Sequence, residues 1–141
     1  MKLKKYLTYK FGNYTGSLDC ILYMLKQSFL ALTFREFWQN WNPLWSYYLI
    51  YYVYKPLNKL FTKSLSILLT FVISGFLHDC VAMLLMHKYS YKMTLLFFLL
   101  AIFVLIEKAM NFTIAKVPKP LRPFYHLVLI ALCGIPSFAL L

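Results

Sequence analysis

Apolar residues in this chain come in long unbroken runs, not in the half-polar stripes of a soluble helix. The longest reads SLSILLTFVISGFLHDCVAMLLM, from Ser64 to Met86. A helix needs roughly 20 such residues to cross a bilayer core, so the run predicts a transmembrane span over 64–86. Two further runs follow. MTLLFFLLAIFVLI starts at Met93 and predicts a span over 93–112, closing near Glu107 and Lys108. Phe124 to Leu141 predicts the last span, 124–141, with His126 near its start and an interruption at Gly134 and Pro136. Pro118, Pro120 and Pro123 leave 111–122 as a loop, because proline lacks the amide hydrogen and clashes with the preceding turn.

Upstream of Ser64 the pattern is broken. Residues 18–34 are apolar but hold Asp19, Lys26, Gln27 and Ser28. A lysine at mid-helix is costly in lipid, so an interfacial or half-buried helix, capped by Ser17, fits better than a span. Residues 1–17 mix Lys2, Lys4, Lys5 and Lys10 with Tyr6, Tyr9, Phe11 and Tyr14. That composition suits either headgroup level or a polar tail, and Gly12, Asn13 and Gly16 are expected to break any helix there. The opening MKLKK is like the start of a signal peptide, but YLTYKFGNYTGSLD is too polar to continue one, so no cleavage is expected.

The stretch 35–63 is rich in Trp and Tyr. Trp38, Trp41 and Trp45 lie among amides and the Arg35–Glu36 pair, a mixture for the interface or for a protein-lined pocket at its edge. Asn42 before Pro43 predicts a helix start, with Asn as cap and Pro as first residue. In the helix that follows, Tyr47, Tyr51 and Tyr54 share a face and Tyr48 and Tyr52 the adjoining one. Lys55-Pro56 is expected to end or kink it.

The fold class predicted is all-α, an integral membrane helical bundle. It has three transmembrane spans and N-terminal interfacial or half-buried helices. All of 1–141 forms one membrane domain, divided into 1–34, 35–63 and the three spans. Composition agrees, with 62% hydrophobic residues and a mean hydropathy of +0.65, which excludes a soluble domain. The net charge of +11 could suggest nucleic acid. Here the cations sit singly between apolar runs, which points to headgroups and topology and away from nucleic acid. Lys55, Lys59, Lys63, Lys108, Lys116, Lys119 and Arg122 outnumber Lys88 and Lys92, so the first group is expected on the cytoplasmic side and the C-terminus opposite. Cys20, Cys80 and Cys133 have no paired or metal-binding spacing and are expected to be reduced apolar fillers; no metal is expected.

Three polar residues carry candidate chemistry. His78 and Asp79 lie just past the middle of the longest run, where an ionisable pair is costly unless it serves a site. A desolvated imidazole is a base that stays uncharged near neutral pH. The same ring also serves elsewhere as a plain helix–helix hydrogen-bond donor. Asp79 points elsewhere on the helix and is expected to orient another group or to pair with a lysine. Ser74, His78, Ala82 and Leu85 share a face on which a helix or ligand could approach closely. Asn42 is the third candidate, beside its role as a cap.

REFWQNWNPLW, then the aromatic helix ending YKPL, then FVISGFLHD, resembles the core of the membrane-bound O-acyltransferase (MBOAT) family, nearest the sterol and diacylglycerol acyltransferase branch. The resemblance covers about residues 34–86. It implies acyl transfer from acyl-CoA or another acyl-carrier thioester, as co-substrate, to a hydroxyl acceptor, with no further cofactor. His78 would be the general base, and Asn42 would hold the acceptor or polarise the carbonyl. Trp38, Trp41, Tyr48 and Ser74 would line the substrate site, with interface anchoring the alternative for the rings. It also implies membrane lipids as surroundings, in the cytoplasmic or endoplasmic reticulum membrane. The chain has room for three or four spans where the family usually has eight or more. An alternative expectation is therefore a non-catalytic or degenerate subunit acting with a partner, a second subunit or another copy of itself.

Overall fold

The computed structural model describes residues 2–12, 17–87 and 90–140, and among them every regular element is helical. Eight α-helices run in order: α1 (Leu3–Phe11), α2 (Ser17–Phe29), α3 (Phe34–Asn40), α4 (Pro43–Tyr48), α5 (Lys55–Leu60), α6 (Lys63–Met86), α7 (Lys92–Ala109) and α8 (Arg122–Leu140). A π-helical segment, Leu49–Tyr54, joins α4 to α5, and a 3₁₀ turn, Lys119–Leu121, leads into α8.

Among the described residues two stretches are long and apolar enough to cross a membrane, Lys63–Met86 and Lys119–Ala139. This corrects the expected three. Helix α7 has 18 residues and stops at Ala109, about 27 Å of helix against a core of about 30 Å. It also carries Lys92, Glu107 and Lys108. The other boundaries differ for physical reasons. The N-terminal segment is helical up to Gly12, whose φ of 65° ends α1; Asn13 and Gly16 lie outside the described residues, as does the Ser17 side chain. Lys55-Pro56 does not end the aromatic helix, because α5 continues from the π segment. The i→i+5 register there gives the Pro56 ring room that an α-helical turn would deny it. Pro123 falls in the first turn of α8, where a missing amide hydrogen is harmless. The expected break at Gly134–Pro136 is absent, since α8 runs through Pro136. The Ser137 hydroxyl donates to the Cys133 carbonyl at 2.7 Å within that turn.

Helices α6 and α7 form an antiparallel hairpin. Lys108 at the end of α7 donates to Ser64 Oγ at the start of α6, while the first turn of α7 meets Asp79. Gly75 allows the contact: a Cβ there would stand 2.6 Å from the Met93 carbonyl oxygen and 2.8 Å from Thr94 Cα. The core lies along α7, where Leu100 and Val104 pack with Ala31, Phe34, Phe37 and Cys133. His126 is fully buried in it. Its ring stacks on Phe37 at 5.0 Å and Phe34 at 6.0 Å, and its Nε2 donates to the Ala31 carbonyl at 3.2 Å.

Each buried carboxylate satisfies the start of another helix. Glu107 accepts from the Phe34 and Arg35 amides at 2.8 and 3.2 Å and from the Tyr125 hydroxyl at 2.9 Å, so α7 holds α3 and α8 together. Asp79 accepts from the Met93 and Thr94 amides at 3.0 and 2.7 Å and from Thr94 Oγ1 at 2.6 Å. Of its two expected roles, this is the orienting of another group; among the described residues no lysine bonds to it. The first amides of α7 have no intrahelical acceptor, and Asp79 supplies one where water does not reach.

Candidate functional site

A cavity of about 340 Å³ opens between α3, α4, the π segment, α6 and α7. Rings and aliphatic chains form most of its wall; Arg35, Gln39, Asn42, Ser46, Thr70, Ser74 and His78 supply the polar groups. The short α3 exists because Thr33 caps it, accepting from the Glu36 amide at 3.1 Å. It presents Trp38 and ends at Trp41, and both indoles line the cavity.

Asn42 stands at the turn into α4. Its backbone is left-handed, with φ 42° and ψ 74°, and its Oδ1 accepts from the Trp45 amide at 3.2 Å. The capping expectation and the site expectation therefore meet in one side chain. Oδ1 serves the cap, while the Nδ2 hydrogens have no partner among the described residues and remain as donors at the cavity wall.

His78 enters from α6. Its Nδ1 lies 2.7 Å from the Ser74 carbonyl oxygen. A carbonyl only accepts, so Nδ1 carries the proton, and in the neutral ring Nε2 is the free lone pair. The ring stacks on Phe97 at 5.1 Å and meets the Trp45 indole edge-on at 5.4 Å. Trp45 Nε1 donates to Ser74 Oγ at 3.0 Å. Ser74 thus holds the imidazole through its backbone and the indole through its hydroxyl. The imidazole itself is exposed.

Of the residues singled out from sequence, Asn42, His78, Trp38, Trp41 and Ser74 line this one cavity. Tyr48 does not. It points outward, T-shaped against Tyr47 and stacked on Tyr52 at 5.9 Å. The sequence reading did not assign Trp45, Arg35 or Tyr54 to the site. The i, i+3 spacing of Asn42 and Trp45 was a signal for the first. Nothing in the local pattern marked the π segment that sets Leu49 and Tyr54 on a shared face.

Apolar helices around a cavity of mixed rings and amides, with one oriented imidazole, fit a helical membrane protein with an internal site. The chain belongs to the MBOAT, membrane-bound O-acyltransferase family, whose sequence model matches residues 22–138. It is similar to a protein of Schizosaccharomyces pombe described as probable sterol O-acyltransferase 2, 43% identical over 49 residues. That match covers 35% of this chain and spans 10% of the relative's length. No solved structure matches the chain.

Proposed function

We propose that the chain carries the reacting centre of a membrane O-acyltransferase that moves an acyl group from acyl-CoA or a similar thioester to a lipid hydroxyl. The single observation that supports this most is the 2.7 Å contact of His78 Nδ1 with the Ser74 carbonyl, which leaves Nε2 as a base in a cavity that Asn42 also lines. Nε2 takes the acceptor's hydroxyl proton as the oxygen attacks the thioester carbonyl. The C–O bond forms, the C–S bond breaks, and the leaving thiolate takes the proton back from the imidazolium. Asn42 Nδ2 donates to the carbonyl oxygen as negative charge builds there. Arg35 at the cavity wall offers a cation to a donor's phosphate groups. The likeness to the S. pombe protein described as a probable sterol O-acyltransferase favours a sterol as acceptor.

A second reading, a non-catalytic subunit working with a partner, is favoured by the exposure of His78, since another surface would be needed to enclose that ring. One experiment separates the two. The full chain, reconstituted in liposomes with labelled oleoyl-CoA and a sterol, is expected to form a sterol ester. His78→Ala should lower the rate by roughly 10²–10⁴-fold with insertion unchanged. Equal ester formation by wild type and variant would overturn the first reading, and no ester from either would favour the second.

A further inference from the structure

A second cavity, about 260 Å³, shares no lining residue with the first. It lies where α1, α2 and the α3–α4 junction meet, and Tyr9, Lys10, Tyr23, Gln27, Asn40 and Pro43 form most of its wall. The Lys10 side chain is half-buried there and donates to Asn40 Oδ1 at 3.1 Å. Asn40 is turned to face it by donating Nδ2 to the Gln27 carbonyl at 3.4 Å. An ammonium has three donors, and this contact uses one.

Among the described residues no carboxylate side chain meets it. Of four acidic residues, Glu36, Asp79 and Glu107 accept from backbone amides. Asp19 lies exposed on the first turn of α2 and is not part of the cavity. Burial pulls the Lys10 ammonium below its ordinary pKa. Tyr9 and Gln27 add a hydroxyl and an amide, donors that suit an anion with several oxygens. Lys4 and Lys5 on the same helix are exposed and raise the local concentration of anions.

We propose that this cavity is a phosphate-binding site, in which Lys10 receives the phosphate monoester headgroup of an anionic lipid. The site is linked to the first cavity. Met24, also in its wall, accepts through Sδ from the Asn42 amide at 3.2 Å, and Pro43 is the next residue in the chain. An occupant therefore bears on the backbone that positions Asn42. That consequence rests on the proposed function, whereas the binding itself does not.

The test uses the full chain in neutral phosphatidylcholine nanodiscs, titrated with short-chain phosphatidic acid, short-chain diacylglycerol or inorganic phosphate and followed by tryptophan fluorescence. Saturable binding of phosphatidic acid but not diacylglycerol is expected. Lys10→Gln should weaken it about tenfold, Lys10→Arg about twofold, and Lys4→Gln about twofold or less. Competition by inorganic phosphate would assign the pocket to phosphate from either source, and its absence to the lipid headgroup. Equal losses in Lys10→Gln and Lys4→Gln would reduce the effect to general surface charge and overturn the site. So would unchanged binding in a Lys10→Gln chain whose helical circular dichroism is intact. His78→Ala should bind phosphatidic acid normally, so failure of acyl transfer and failure of this site are told apart.

Discussion

Both carboxylates buried in the bundle are spent on backbone amides. Asp79 sits beside His78 in sequence, but helix geometry is expected to turn the two side chains apart. One step along a helix turns a side chain about 100°, enough to send the imidazole to the cavity and the carboxylate to α7. Asp79→Ala strands two amides and a hydroxyl, and should cost about 1–3 kcal/mol, read as a lower thermal midpoint in detergent. A midpoint equal to wild type would mean that water or lipid headgroups satisfy those amides. Glu107→Gln keeps one carboxamide oxygen for three donors, so a similar loss is expected, with α3 becoming protease-sensitive before α6. At this scale the residue types were legible and their partners were not, because the partners lie 14 to 73 positions away.

Helices α6 and α8 followed from their apolar runs almost to the residue, since nothing but a helix satisfies a backbone in such surroundings. What hydropathy does not encode is how two helices touch. Gly75 carries no hydropathy signal of its own, yet α7 approaches it too closely for a side chain. Gly75→Ala puts a methyl into backbone atoms that have no rotamer to yield. It should separate the hairpin at a cost of about 1–3 kcal/mol and shift His78 off Phe97. Thermal stability and tryptophan emission from Trp45 report the two effects separately. The π segment and the unbroken α8 escaped the sequence for the opposite reason. Proline's disruption was weighed in isolation, while neighbouring groups and a wider turn absorb it.

At the scale of the molecule, the meeting of Asn42 and His78 across one cavity was legible from two separated motifs, though α7's role as the floor beneath the imidazole was not. The charge count also makes a testable statement. With α6 across the bilayer, a cysteine placed at Lys59 should label from the cytoplasmic side and one at Tyr91 only after permeabilisation. The reverse pattern would invert the orientation. The two arms of the hairpin are unequal in that direction. Helix α7 starts level with Asp79, whereas α6 runs on seven residues to Met86, about 10 Å farther. The shorter arm leaves a step, and the exposed His78 lies one residue before it. On the proposed function, a bilayer-soluble acceptor is expected to reach the imidazole over that ledge.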